Sequence, residues 1–443
     1  MTFIHAMMRR VLSLRVTASV LLFVAAIAAA IIANSSYAPI YQEFLSNELQ
    51  LRIGSFNLLS HGGHNMTMLE FINDGLMAIF FFSVGLEIKR ELLVGELSSF
   101  RKALLPIIAA FGGMVIPVMV YLLVCEPGSI EGQGLAIPMA TDIAFSLGVL
   151  SLLGSRVPLS LKVFLVAFAV VDDIGGILVI AIYYSSHVSY GYLLVAALLY
   201  LILFFIGRYG ATNKIFFFVF GGVIWYLFLQ SGIHSTISGV ILAFVTPARP
   251  RLDVAKYVEY IRETIAGFPV IKAAKKGHTV LTNEQIATLK MVESASDRVI
   301  SPLQSLEDNL HGMVNFLILP LFAFVNAGVV FSGEGELVGN VSIAVALGLL
   351  LGKFVGIYSF TWITVKSGIV SLPQGMNWKS VAGVSLLGGV GFTVSLFVAN
   401  LSFGSAYPEL LNQAKLGVLS GTVLSGILGY IVLRMALRNR KTI

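Results

Sequence analysis

Four ionisable side chains stand inside apolar runs long enough to cross a bilayer. Asp142 lies in Met139-Ala140-Thr141-Asp142-Ile143. Asp172 and Asp173 are adjacent in Val170-Val171-Asp172-Asp173-Ile174-Gly175-Gly176, and Lys353 sits in Leu350-Leu351-Gly352-Lys353-Phe354-Val355-Gly356. An ionisable group at the bilayer centre costs about 2.5–3.5 kcal/mol on insertion scales, so such residues are functional by default. One ammonium can compensate one carboxylate. The other two need protons or a cation. Hard cations take carboxylate, hydroxyl, carbonyl and water oxygens, which Asp172, Asp173, Asp142 and Thr141 offer. A carboxylate beside a like charge in low dielectric also holds a proton more tightly than in water. Cation and protons then compete for the same oxygens. Two protons released per monovalent cation would move one net charge, coupling exchange to the membrane potential by about 2.3 kcal/mol per 100 mV. Helical neighbours point about 100° apart. One split therefore turns Asp173 to the ion path and Asp172 to a partner such as Lys353. The competing reading is a neutralised structural network. Asp74 is nearer mid-span than the end of its own apolar run and stands outside this core set.

The elements that must hold these residues follow from composition. Of 443 residues, 57% are hydrophobic and 12% charged, with a mean hydropathy of +0.89. A soluble domain is about 25% charged. Soluble, disordered, fibrous and disulfide-framework classes are excluded, leaving an all-α polytopic membrane protein. Apolar runs fall near 17–35, 68–86, 103–124, 134–153, 163–185, 190–207, 215–229, 232–246, 312–330, 341–365, 380–403 and 413–433. These predict twelve spans in a single transporter domain over 1–443. The slight break at Gln230–Ser231 keeps eleven open as the alternative. With twelve, every Lys and Arg except Arg52, Lys353 and Lys415 falls in loops or tails on one side. The positive-inside rule then puts both termini in the cytoplasm. The net charge of +6 is topology and implies no nucleic acid. Cys125 is the single cysteine, so no internal disulfide forms.

The first run resembles a signal peptide in outline but is long for an h-region. A retained helix is expected, with 3–14 as a surface amphipathic segment. Two connections are not minimal. Residues 36–67 alternate Leu49, Leu51 and Ile53 with polar residues, which suits an external hairpin or a loop. Residues 247–311 form an extended cytoplasmic connection. Tyr257, Tyr260, Ile261 and Ile265 at helical spacing, and Ser301-Pro302 with Gln304 as a capped start, predict short surface helices there. His61-Gly62-Gly63-His64 is a weak metal motif, more simply read as solvated.

Glycines supply a second signal. Ser385-Leu386-Leu387-Gly388-Gly389-Val390-Gly391-Phe392-Thr393 predicts an unwound stretch in span 11, and Thr141-Asp142 a polar break in span 4. Interrupted helices at matching positions mark inverted-repeat transporters. Spans 3–5 and 10–12 are seven crossings apart, and hence antiparallel. Free backbone groups at the breaks carry partial charges, which Asp142 and Lys353 are available to balance. Gly352/Gly356 and Gly417/Gly421 read as helix packing.

The chain resembles the NhaA family of sodium/proton antiporters. The likeness is carried by Phe71-Ile72-Asn73-Asp74-Gly75-Leu76-Met77-Ala78, Val84-Gly85-Leu86-Glu87-Ile88-Lys89-Arg90-Glu91-Leu92, Ala140-Thr141-Asp142-Ile143-Ala144 and Val171-Asp172-Asp173-Ile174-Gly175. Ser231-Gly232-Ile233-His234, Leu319-Pro320-Leu321-Phe322-Ala323-Phe324-Val325-Asn326-Ala327-Gly328 and Gly389-Val390-Gly391-Phe392-Thr393 match as well. The resemblance implies a twelve-helix fold with crossed, interrupted helices 4 and 11. It implies exchange of internal Na+ or Li+ for external protons, a homodimer formed through the 1–2 hairpin, and no cofactor. It implies that Asp172 and Asp173 bind ion and protons, that Asp142 and Thr141 line the site, and that Lys353 pairs with Asp172. Glu87, Glu91 and His234 match positions linked to pH response. The 8–9 connection is longer than the family's short form. His234 is open between sensor and satisfied polar residue, and Glu87 between sensor and interfacial charge.

Two other classes compete. An intramembrane aspartyl protease also needs two membrane aspartates, but its Gly-x-Gly-Asp element does not occur, nor does His-Glu-x-x-His or a P-loop. A passive cation channel would not need buried carboxylates that hold protons.

Overall fold

The computed structural model describes residues 2–54, 56–57, 59–61, 64–185, 188–209, 214–249, 254–268, 281–331 and 338–438. Apolar side chains in lipid leave the backbone to satisfy itself, so these runs become helices. Among the described residues, seven helices are individually long and apolar enough to span: Met68–Leu93, Phe100–Val124, Leu159–Tyr183, Tyr190–Arg208, Pro302–Asn326, Asn340–Lys366 and Pro408–Ala436. Of three helix pairs bent at short breaks among the described residues, two make broken spans, Glu131–Met139 with Ile143–Ser151 at 45° and Trp378–Leu387 with Phe392–Phe403 at 42°. Thr2–Ala33 and the shorter Lys214–Ser231 and Thr236–Val245 complete the twelve segments expected from sequence. The protein is a multi-pass membrane protein.

The eleven-span alternative fails at Gly232. Its φ of 82° is a left-handed turn that suits glycine, and it separates spans 7 and 8. Residues 2–33 form one continuous helix, so the expected surface segment 3–14 is not set apart from span 1. The chain then turns by 112° into Ala38–Ser46, a helix not foreseen. Two antiparallel strand pairs follow, Arg52–Ile53 with Phe56–Asn57 and Ser60–His61 with His64–Asn65. Gly62 and Gly63 of the histidine motif lie outside the described residues.

In the 8–9 connection, Val254–Ala266 and Asn283–Val299 are the expected short helices. The Ser301 hydroxyl accepts from the Gln304 amide at 3.3 Å, as a cap should. The helix it starts is not a separate surface helix, however. It runs on into span 9, because Leu303, Leu306 and Leu310 share a buried face. The π-helical turn at Val314–Ile318 just precedes Pro320, which has no N–H for the carbonyl four residues back.

Close packing fixes the spans that carry the charges. Gly112 of span 3 and Gly356 of span 10 lie backbone to backbone; a Cβ on either would strike the other's carbonyl. Gly352 abuts Pro117, Gly417 abuts Ser342 and Gly421 abuts Leu349, the packing role expected for these glycines. Two buried apolar clusters result. The larger includes Phe81, Phe322, Phe397 and Leu349. The smaller includes Leu165, Phe168, Ile357, Val384 and Leu433.

Candidate functional site

The two broken spans cross where their helices stop. The Asp142 amide donates to the Val390 carbonyl at 2.6 Å, which ties one break to the other. The first half of span 4 is a 3-10 helix, Glu131–Met139, and its second half starts with Asp142 as N-cap. Both carboxylate oxygens of Asp142 are used. Oδ1 accepts from the Phe145 amide at 2.9 Å. Oδ2 accepts from the Thr393 hydroxyl at 2.6 Å and the Thr393 amide at 3.2 Å. One carboxylate thus faces the positive N-terminal ends of two half-helices, Ile143–Ser151 and Phe392–Phe403.

The opposite ends are closed by hydroxyls. Thr141 Oγ1 donates to the Gly388 carbonyl at 2.8 Å, and Ser146 Oγ donates to the Leu387 carbonyl at 2.9 Å. Reciprocally, Ser395 of span 11 donates to the Ile137 carbonyl of span 4 at 2.8 Å. Each serine lies on one half-helix and caps a carbonyl of the other span, satisfying acceptors that a helix end leaves without partners. Gly389 packs its α-carbon against the Leu349 carbonyl, leaving no room for a side chain. Ser19 of span 1 covers the break by donating to the Ala144 carbonyl at 3.0 Å.

Beside the crossing, Lys353 Nζ lies 2.5 Å from Asp172 Oδ2. Both side chains are essentially fully buried, at 0% and 1% exposure. Lys353 follows a π-helical turn, Gly348–Gly352. Asp172 Oδ1 is buried with no hydrogen-bond partner among the described residues. Asp173, one residue on, is only partly buried. Asp172, Glu87 and Asp142 as well as Lys353 act on it electrostatically. The two adjacent aspartates are thus divided in their bonding, since Lys353 bonds Asp172 and acts on Asp173 only through space. Among the described residues no group of three or more His, Cys, Asp or Glu side chains forms a metal cage. A cation bound here must draw on hydroxyl, carbonyl and water oxygens as well.

Of the three residues the resemblance matches to pH response, Glu87 and Glu91 lie one turn apart on the Met77–Leu93 helix, where both act on Arg90, and only His234 stands apart. Glu91 bonds Arg90 at 3.0 Å, and Arg90 Nε reaches Glu307 of span 9 at 2.9 Å. Lys89 Nζ donates to the Phe244 and Thr246 carbonyls at 2.6 and 2.5 Å, capping the end of span 8. His234 sits at the other end of span 2's helix, where its Nε2 is 3.5 Å from Asp74 Oδ1 and its Nδ1 is 3.0 Å from Thr236 Oγ1. Seventeen residues of helix separate Asp74 from Glu91, roughly 25 Å. The Arg90–Glu307 and Asp74–His234 pairs were not foreseen from sequence. The spacing of Ser146 four residues after Asp142, on one helical face, could have flagged that serine.

Buried charges at crossed, interrupted helices within a polytopic bundle define a membrane transporter architecture. The family described as Na+/H+ antiporter 1 matches residues 9–433. A Na+/H+ antiporter NhaA of Bacteroides thetaiotaomicron is 76% identical over 434 residues, covering 98% of both chains. One from Bacteroides fragilis is 75% identical, covering 97% of this chain and 98% of its own. One from Phocaeicola vulgatus is 60% identical over 408 residues, covering 92% and 90%. The chain belongs to the NhaA family of Na+/H+ antiporters.

Proposed function

We propose that this protein exchanges cytoplasmic Na+ or Li+ for external protons, electrogenically and under pH control, by alternating access to the Asp172–Asp173 site. The observation that carries this reading is the division of the two aspartates. Asp172 is neutralised by Lys353 at 2.5 Å, whereas Asp173 is partly buried beside it and is not held by that lysine. In the proton-loaded state, Asp173 is a neutral acid and Asp172 is paired with the Lys353 ammonium. A cation entering between the aspartates displaces the Asp173 proton and takes Asp172 from Lys353, which then releases its own proton. Two protons leave for one cation, so one net charge moves per cycle. Asp142 stays ionised and balances the two half-helix ends, while Thr141 supplies oxygen to the lining.

The positive-inside distribution supports cytoplasmic termini in the bacterial inner membrane, with the 36–67 hairpin outside. The hairpin is the segment for homodimer formation. A protease reading fits poorly, since Asp172 is already committed to an ammonium and cannot share a water with Asp173.

The test is Na+- or Li+-driven proton release by purified protein in liposomes over roughly pH 6.5–8.5, where carboxylates in such surroundings titrate. Exchange lost in Asp173→Asn is expected; substantial residual exchange would remove Asp173 from the site. Retained net charge movement in Lys353→Ala would exclude the lysine as an obligatory proton carrier.

A further inference from the structure

The bundle end that carries the 36–67 hairpin holds a cavity of about 860 Å³, lined in part by Glu70, Asp74, His234, Asn400, Glu409 and Lys415. Asn73, Asn400 and Phe397 line its floor, and Asn326 lies buried behind them. Asn326 of span 9 is fully buried. Its Nδ2 donates to Asn73 Oδ1 at 2.8 Å and to the Phe322 carbonyl at 2.9 Å. Its Oδ1 accepts from Asn400 Nδ2 at 2.7 Å and from Asn73 Nδ2 at 3.3 Å. Both donors and both lone pairs of one buried amide are thereby used on spans 2, 9 and 11. Phe397 lies beside them, with its ring 5.5 Å from Phe81, 6.4 Å from Phe322 and 5.3 Å from the His234 imidazole.

The position of this cluster gives it a use. Asn400 and Phe397 are on the half-helix Phe392–Phe403, which begins at the Asp142 break. Thr393 and Asn400 are seven residues apart, roughly 10 Å of helix. The same rigid rod touches the ion-site break at one end and the cavity floor at the other. Asn73 lies in the π-helical turn Phe71–Leu76 of span 2, and the Trp225 indole N–H holds the Asp74 carbonyl there at 3.0 Å.

We infer that Asn73, Asn326 and Asn400, with Phe397 packed beside them, form the closure between the hairpin-end cavity and the buried charges. They clamp the outer half of span 11 against spans 2 and 9. Opening to that side requires Asn400 to leave Asn326. These are positioning residues, and the inference rests on the exchange reading only for its consequence in transport.

Accessibility tests the clamp without relying on transport. In a Cys125→Ala background, Val394→Cys places a thiol at a buried position six residues inside Asn400. Leu401→Cys places one on the cavity wall. A membrane-impermeant maleimide is added from the hairpin side of reconstituted vesicles. Adding Asn400→Ala should speed modification at 394 about fivefold, the scale for removing a neutral buried hydrogen bond from the closed state. The rate at 401 should not change. Asn73→Ala should act in the same direction. Unchanged labelling at 394, or equal acceleration at 394 and 401, overturns the inference. Accelerated labelling with no Na+/H+ exchange in the parent protein would instead remove the exchange reading and leave the clamp standing.

Discussion

Spans 4 and 11 are both cut in mid-membrane, yet they are cut by different means. Span 4 breaks at Thr141-Asp142, where a carboxylate and a hydroxyl take over bonds that the helix gives up. Span 11 breaks at Gly388-Gly389-Val390-Gly391, which contains no polar side chain. Its contribution is close approach, with Gly389 resting on the Leu349 carbonyl and the Val390 carbonyl receiving the Asp142 amide. One break supplies charge and the other supplies space for backbone. A crossing of two helices needs both, since a second carboxylate would add an uncompensated charge and a second glycine run would leave two N-termini unbalanced.

That division can be broken in order of expected effect. Asp142→Ala should be the most damaging, lowering stability by about 3–5 kcal/mol, as removal of one partner from a buried charged arrangement does. The measurement is a denaturant or SDS unfolding titration, and a loss under 1 kcal/mol would show that the charge does not balance the half-helices. Thr393→Val should cost about 1.5–3 kcal/mol, the range for a hydrogen bond to a charged group. It keeps the side-chain shape and loses only the hydroxyl bond to Asp142. Gly389→Ala should cost about 1–3 kcal/mol by overpacking against the Leu349 carbonyl and should not be rescued by changing salt or pH. Ser146→Ala and Ser395→Ala should each cost about 1 kcal/mol. Near-equal values are expected because each serine caps the opposite span in the same way; a difference beyond about 1 kcal/mol would show that the two caps are not equivalent.

The same contrast explains what sequence could disclose. Asp142, Asp172, Asp173 and Lys353 were legible because a charge in an apolar run violates the solvent around it. The span 11 glycines were legible as a cluster that no stable helix would choose. Twelve spans were legible from hydropathy together with the distribution of Lys and Arg. The serine caps Ser146 and Ser395 were not, because serine is cheap in a membrane helix and bonds its own turn as readily as a neighbour. Asn73, Asn326 and Asn400 are neutral and leave little trace in hydropathy; only their convergence reveals them. Hydropathy sets the start of span 9 at 312 rather than at Pro302 because Gln304, Glu307 and Asp308 dilute the apolar face formed by Leu303, Leu306 and Leu310. The helix Ala38–Ser46 was missed for want of an apolar run long enough to notice.

The π-helical turn at Gly348–Gly352 has a geometric consequence for the residue that follows it. Such a turn carries one residue more than its α-helical neighbours, a dislocation in an otherwise regular rod. Were that surplus to move past Lys353, the lysine would rotate by about 100°, enough to swing its ammonium off Asp172 while every other turn of span 10 kept its bonds. Span 10 could then hand its charge over by a shift in register, with no need to melt.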